Sequence, residues 1–259
     1  QTIQILTHQE HVESGWVESQ INPMNKEKPF TFTIDKIDLL LQKIEKNGTD
    51  RLDADEIGNG IDVLQDFVTK SHLKNIKLKA RLGEGVFVLT EDEKKKVCET
   101  VNDSSKVKPY FTSNELGRYY SNNQNTYWLI YADKEVRENI AKYPGIKKHL
   151  NRFIPILTSA FAPYGLNRPR DERYFLGDKL LSIRKTRRAQ FSFSTFPCYV
   201  SRAFLIVKPN RSLEYLKYLM GLLNSKLIQF WLYNRCKKQG DQLQIDKEPL
   251  LNIPLYKIN

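Results

Sequence analysis

The chain has 259 residues, of which 40% are hydrophobic and 11% aromatic, a composition that supports a folded core and excludes a disordered tail. Its 41 Lys and Arg exceed 30 Asp and Glu, for a net charge of +11 and a pI near 9.4, a balance that favours polyanionic partners. No run approaches about eighteen apolar residues, and the opening QTIQILTHQEHVESG has no basic region followed by an apolar run, so neither a membrane span nor a signal peptide is expected.

Cys98, Cys198 and Cys236 are far apart, odd in number and without CxxC spacing, as for buried thiols in a reducing cytoplasm. The absence of an initiator Met gives the expectation of a piece of a longer protein. Residues 1–33 are weakly patterned, with an Asn22-Pro23 turn signal and an aromatic Phe30-Thr31-Phe32 run. A helix is expected from Ile34 to about Lys46, because Ile34, Ile37, Leu41 and Ile44 share one face, with Thr33 as N-cap and Asn47-Gly48 as stop. Glu56-Ile57-Gly58-Asn59-Gly60-Ile61 is punctuated by glycines where backbone passes closely or turns, and a strand is expected at Gly85–Leu89.

Thr90 and Glu93 form a capping box before a Lys-rich helix that Lys108-Pro109-Tyr110 breaks. An aromatic strand follows at Tyr127–Tyr131, Asp133 caps a short helix to about Lys142, and Pro144 starts another with Ile146, Leu150 and Phe153 on one face. The spacing of Leu213, Leu216, Met220, Leu223, Leu227 and Trp231 predicts one long C-terminal helix over about 212–237, capped by Asn210 or Ser212 and ended by Gly240.

Between these helices lies a basic element, Arg168–Lys208. It reads as two strands, Lys179–Lys185 and Cys198–Lys208, joined by a loop with Arg187, Arg188, Gln190 and an alternation of Phe191, Ser192, Phe193 and Ser194. Alternation on a strand presents the polar set outward. Between Lys147 and Arg188 eleven Lys and Arg face three Asp and Glu, so eight of the eleven net positive charges sit in one segment. Such a field attracts a polyanion through counterion release, although a charge run also serves as a plain solvated face.

Gly58-Asn59-Gly60-Ile61, Lys108-Pro109-Tyr110-Phe111, Asn114-Glu115-Leu116-Gly117-Arg118-Tyr119, Trp128–Tyr131, Tyr143–Ile146, Lys179–Lys185, Tyr218–Ser225 and Ile253-Pro254-Leu255 occur in this order. Taken together, over roughly residues 52–258, they resemble the C-terminal specificity domain of TaqI-like adenine methyltransferases and fused type IIG restriction-modification enzymes. The resemblance implies a single α+β target-recognition domain at 51–259, with a mixed, mainly antiparallel sheet, preceded by a connecting segment at 1–50. It implies duplex DNA as partner, and a catalytic N6-adenine methyltransferase domain of the same polypeptide, with or without a fused endonuclease, that would hold S-adenosylmethionine. No cofactor is expected in this chain. The segments around Arg118-Tyr119 and Arg184–Ser194 match places where such domains approach DNA. With the basic side chains near them, the candidate DNA-binding set is Arg118, Tyr119, Arg168, Arg170, Arg173, Arg184, Lys185, Arg187, Arg188, Gln190, Ser192, Ser194 and Arg202.

Catalytic chemistry is not legible. A methyltransferase needs a glycine-rich turn after a strand and an Asn/Asp-Pro-Pro-aromatic loop, yet Asn22-Pro23 precedes Met24 and Gly83-Glu84-Gly85 precedes its strand. Asp92-Glu93-Lys94 has the residue types of a nuclease metal site but sits on a capped helix start. His8 and His11 lack a completing ligand, and His72 and His149 stand alone. Two other readings stay open beside the recognition domain: a metal-dependent nuclease using Asp92, Glu93, Asp171 or Glu172, and a basic protein-interaction domain.

Overall fold

A computed structural model describes residues 2–9, 12–20, 35–75 and 77–256, with backbone alone for 2–20 and 35. The Asn22-Pro23 turn, the Phe30–Phe32 run, Thr33, Ile34 and His11 lie outside the described residues, as does the side chain of His8.

In chain order, a hairpin of β1 (Thr2–Gln9) and β2 (Val12–Gln20) precedes α1 (Asp35–Asn47) and β3 (Ile57–Asn59). Then come β4 (Val88–Leu89), α2 (Glu91–Val97), α3 (Val101–Lys106), β5 (Val107–Phe111), β6 (Tyr119–Tyr120), β7 (Tyr127–Ile130), α4 (Lys134–Glu138) and α5 (Pro144–Asn151). The remainder is β8 (Lys179–Ile183), β9 (Lys185–Thr186), β10 (Phe191–Ser194), β11 (Tyr199–Val200), β12 (Phe204–Val207), α6 (Leu213–Leu223), α7 (Lys226–Arg235), β13 (Lys237–Gln239), β14 (Gln242–Gln244) and α8 (Lys247–Asn252).

A five-stranded sheet of order β3-β12-β8-β10-β6 lies at the centre, antiparallel except for the β10–β6 pair. Both faces of its central strands are covered, so β12 (Phe204–Val207) reads as a continuous apolar run and the serines of β10 are buried. Ile57, Leu180, Phe191, Leu205 and Val207 point to a core with α1, α6, α7 and α8. Leu181, Phe204 and Ile206, from the alternate positions, join a second core around the four-stranded sheet β11-β5-β7-β4 and α5. A three-stranded sheet β13-β14-β9 extends past the end of β8. The architecture is α+β with mixed, mainly antiparallel sheets.

The first half follows its local signals. Thr90 and Glu93 form the expected capping box, but the Lys-rich helix ends at Val97, because Thr100 and Asp103 form a second box that starts α3. Asp103 is fully buried and also accepts hydrogen bonds from the N–H groups of Gly145 and Ile146, which ties the starts of α3 and α5 together. Lys108-Pro109-Tyr110 is part of strand β5. The faces Ile37, Leu41, Ile44 and Ile146, Leu150, Phe153 pack as their spacing predicts.

The expected long C-terminal helix is two short ones. Asn224 leaves the helix and bridges the backbone of Phe191, accepting from its N–H at 3.1 Å and donating to its carbonyl at 2.9 Å, while the Ser225 hydroxyl caps α7 by accepting from Ile228. The break rotates the apolar stripe. Leu216, Leu223 and Trp231 are buried, Met220 is half-buried, and Leu213 and Leu227 are exposed. Gly240, placed at the end of that helix by the sequence reading, sits instead with positive φ in the two-residue Gly240-Asp241 turn of the β13–β14 hairpin. Among the described residues, no helix is long and apolar enough to cross a membrane.

Candidate nucleic-acid interface

Four of the arginines singled out by sequence cluster together, around Asp62, Gly60 and Asp246. Asp62 is buried and bridges backbone to backbone with Arg168. Its Oδ2 accepts from Asn167 at 2.6 Å, and Arg202 Nη1 lies 3.3 Å from its Oδ1. Arg170, held at φ 69°, donates to the Gly60 carbonyl and lies in the field of Arg168 and Arg184. Burial, then repulsion from Arg168, lowers its pKa below the ordinary guanidinium value. Arg184 pairs with Asp246 and reaches the Arg202 carbonyl. The Arg168 side chain is exposed and makes no hydrogen bond or ion pair among the described residues, while Arg202 projects its guanidinium into solvent.

The glycine-punctuated segment makes this crowding possible. A Cβ on Gly60 would come 2.0 Å from the Ser201 carbonyl oxygen, so only glycine lets Ile61 pair with the Val200–Arg202 backbone. Asp66 lies beneath the same cluster, and burial, opposed by Arg202, pushes its carboxyl up to about 6.

The strip continues along β9. Lys185 pairs in the ladder with Gln244, and its side chain is exposed. Arg187 is exposed and pairs with Asp241 at 2.6 Å across the hairpin turn, whereas Arg188 and Gln190 are exposed without side-chain partners among the described residues. The β13–β14 hairpin adds exposed Lys237, Lys238, Gln239 and Gln242 beside them. Sequence reasoning missed this hairpin. Its signal was the pair Gly240-Asp241 between short polar runs.

Other candidates are engaged within the fold. Ser192 and Ser194 are buried, and their hydroxyls donate to the carbonyls of Gly117 and Phe196. The outward polar set expected for β10 is therefore corrected: both faces of this sheet are covered, and the serines lie on the face shared with Lys179 and Leu181. Lys179 is itself buried, donates to the carbonyls of Gly177 and Phe196, and is lowered to about 8 by burial. Arg118 donates to the Asn224 carbonyl and packs over Tyr119, so it anchors the β6 segment to the break between α6 and α7. Arg173 stacks on Tyr174 and binds Asp171 and the Asp55 carbonyl, apart from the Asp62 cluster. Tyr119 is exposed on edge strand β6 with φ 82°.

The acidic and imidazole groups are engaged elsewhere. Glu93 caps α2 and accepts from Gly85, Asp92 pairs with Lys95, Asp171 with Arg173, and Glu172 with Lys108 and Tyr199. His149 is buried with Nε2 2.9 Å from the Val86 carbonyl oxygen, and burial lowers its pKa. His72 Nδ1 accepts from the Thr69 N–H. Among the described residues, no three His, Cys, Asp or Glu side chains are grouped to hold a metal. Cys198 and Cys236 are buried thiols, both pushed up to about 12 by burial, and Cys98 is half-buried.

Residues 108–255 match the TaqI-like C-terminal specificity domain family. The chain belongs to this family. That span holds β5 to α8 and every one of the candidate DNA-binding residues. Among solved structures, this specificity domain is similar to the type IIL restriction-modification enzyme MmeI, solved in complex with DNA, with TM-score 0.51 and 15% identity over 76% of this chain and 24% of that one. The type IIG restriction endonuclease BpuSI matches with TM-score 0.45 and 14% identity over 86% of this chain and 26% of that one. The chain thus spans about a quarter of the length of each. No curated protein matches it significantly.

Proposed function

We propose that this specificity domain binds duplex DNA and reads the target sequence for a restriction-modification protein, with the strip Arg168, Arg170, Arg202, Arg184, Lys185, Arg187 and Arg188 set against the phosphates. The observation that carries the reading is the clustering of Arg168, Arg170, Arg184 and Arg202, in which Asp62 pairs with Arg202 and Asp246 with Arg184. A fold that needed these charges only for stability would pair them one to one, whereas Arg168, Lys185 and Arg188 are left to face solvent. MmeI, similar in fold, was solved with DNA bound.

Residues 51–259 act as the recognition domain and 1–50 as the connecting segment. Its helix α1 docks through Leu41 in the shared core and through the Glu45–Arg235 ion pair at 2.7 Å. The target base is an adenine, methylated at N6 by a catalytic domain elsewhere in the polypeptide, where S-adenosylmethionine binds. The glycines here do not fit that cofactor: Gly58 makes room for the Tyr174 ring, Gly60 for the Ser201 carbonyl, and the Gly83–Gly85 loop leads into β4 when a cradle should follow a strand.

The test is duplex binding across a range of salt. Arg168→Ala and Arg188→Ala should each weaken binding to all duplexes alike and reduce the slope of log K against log salt by about one. Slopes unchanged in both variants would remove the strip from the interface.

A further inference from the structure

The least charged stretch of this basic chain flanks edge strand β6. From Pro109 to Ala132 the only ionisable residues of the Asp, Glu, Lys, Arg and His types are Glu115 and Arg118, and both are engaged. Residues 121–126 read Ser-Asn-Asn-Gln-Asn-Thr. Ser121, Asn122 and Asn123 line a cavity of about 600 Å³ together with Asn114, Tyr120, Thr195 and Phe196, and Gln124 continues this rim along the chain.

The rim is held from beneath, the amides of Asn122 and Asn125 bond within the loop, and three other amides are unbonded among the described residues. Glu115, buried, accepts from the Thr126 hydroxyl at 2.7 Å and from the Thr112 N–H and hydroxyl at 2.8 Å each, and its carbonyl accepts from the Asn122 N–H. Leu116 bridges to Ser121, and Gly117 N–H bonds the Tyr120 carbonyl. Tyr119 is kept at φ 82°, a conformation a bulky residue adopts only when its surroundings impose it. Above this brace, the side-chain amides of Asn114, Asn123 and Gln124 make no hydrogen bond among the described residues. The Ser121 hydroxyl oxygen, at the cavity wall, is buried with no partner among the described residues.

We propose that this rim reads the edge of an A·T base pair, with Asn123 and Gln124 presenting amides to adenine N6 and N7 in the major groove. The proposal rests on the DNA-binding reading above and adds which segment carries sequence information. Guanine is read by Arg or Lys and cytosine by Asp or Glu, and the rim has no free group of either kind; the amide's paired donor and acceptor match adenine. Neutral amides and hydroxyls also touch phosphate, but they release no counterion, so the salt-dependent share of backbone binding falls to the strip. Strand β10 runs between the two regions: Arg188 lies just before its start and Thr195, on the rim, just past its end. At about 3.3 Å per residue its four residues span roughly 10 Å, about three base steps. One duplex can therefore meet both.

The test uses the full chain and a pool of randomised duplexes, from which the unsubstituted protein selects its preferred motif. Asn123→Ala and Gln124→Ala should each lose preference at an A·T position of that motif by about 5- to 140-fold, with melting temperature and salt slope unchanged. Replacing that adenine by 7-deazaadenine, which lacks the N7 acceptor, should weaken the unsubstituted protein and leave the variant that lost the contact unaffected. Variants that keep the full motif overturn the inference while leaving phosphate binding intact, and loss confined to G·C positions overturns its chemistry. A fall in melting temperature in both variants, with every position weakened alike, makes the loop a structural brace and also overturns it. If the unsubstituted protein selects no motif and binds without salt dependence, the proposed function falls as well.

Discussion

The basic strip at Arg168–Arg202 and the amide rim at Ser121–Thr126 share one central sheet and have opposite chemistry. In the strip, cations outnumber the carboxylates that restrain them, and long side chains reach into solvent. In the rim, charge is absent from the surface, short amides are displayed, and the charged groups work underneath as braces. A strip of the first kind attracts any polyanion and is screened by salt; a rim of the second kind contributes only where donors and acceptors match. What separates them is less the residue types than their occupancy. Arg118 and Arg168 look equivalent in sequence, yet one is tied to the Asn224 carbonyl and the other is exposed and unpaired among the described residues.

The largest expected effect breaks both regions together. Leu223, the last residue of α6, is fully buried in the core shared with the central sheet, so Leu223→Ala should cost about 2–5 kcal/mol. Thermal unfolding should register this as a clear fall in Tm, with strip and rim functions lost in parallel on warming. An unchanged Tm would mean that the helix layer does not support the sheet.

A smaller effect separates the regions. Arg118→Ala leaves the Asn224 carbonyl without its donor and frees the β6 segment, at a cost of about 1–3 kcal/mol. Sequence preference should fall while the salt slope stays constant. If Arg118 instead met phosphate, its removal would lower the slope by about one without disturbing Tm.

The smallest effect concerns the ground beneath the strip. The Asp66 carboxyl is raised from an ordinary 3.8 to about 6 in the fold, because its charged form is desolvated, and its Oδ1 has no partner among the described residues. The folded state therefore holds this proton more tightly than the unfolded chain, and stability falls as pH rises from about 4 to about 6. Asp66→Asn should raise stability by about 1–2 kcal/mol above pH 6, with the gain fading towards pH 4. Chemical denaturation at pH 4, 5 and 7 checks this, and a gain that persists at pH 4 would point to packing instead.

Where local chemistry decides structure, the sequence was readable. The Thr90–Glu93 box, the Asp133 cap and the faces of α1 and α5 follow from residue spacing alone. The ordered segments resembling a TaqI-like specificity domain led to the family that residues 108–255 match. Long-range contacts overrode spacing elsewhere. The stripe from Leu213 to Trp231 is helical in period, but nothing in it shows that Asn224 is drawn out to bridge Phe191, 33 residues away in the chain. Alternation at Phe191–Ser194 implies one wet face only if a sheet is covered on one side, and this one is covered on both. The strip's arginines were visible as charge, whereas their clustering beside Asp62 and Asp246 became visible only in three dimensions. The amide run at 122–125 was legible as an uncharged island in a basic chain, a signal that the search for cations passed over.

The most direct measurement is the salt dependence of duplex binding by the full chain with Arg168, Lys185 and Arg188 all replaced by Ala, side chains that are exposed and unpaired among the described residues. If the strip lies on the DNA backbone, the slope of log K against log salt should fall by about three and affinity should drop for all duplexes alike, with the folded state and the selected motif unchanged. A triple variant with the parent's affinity at every salt concentration would contradict the account.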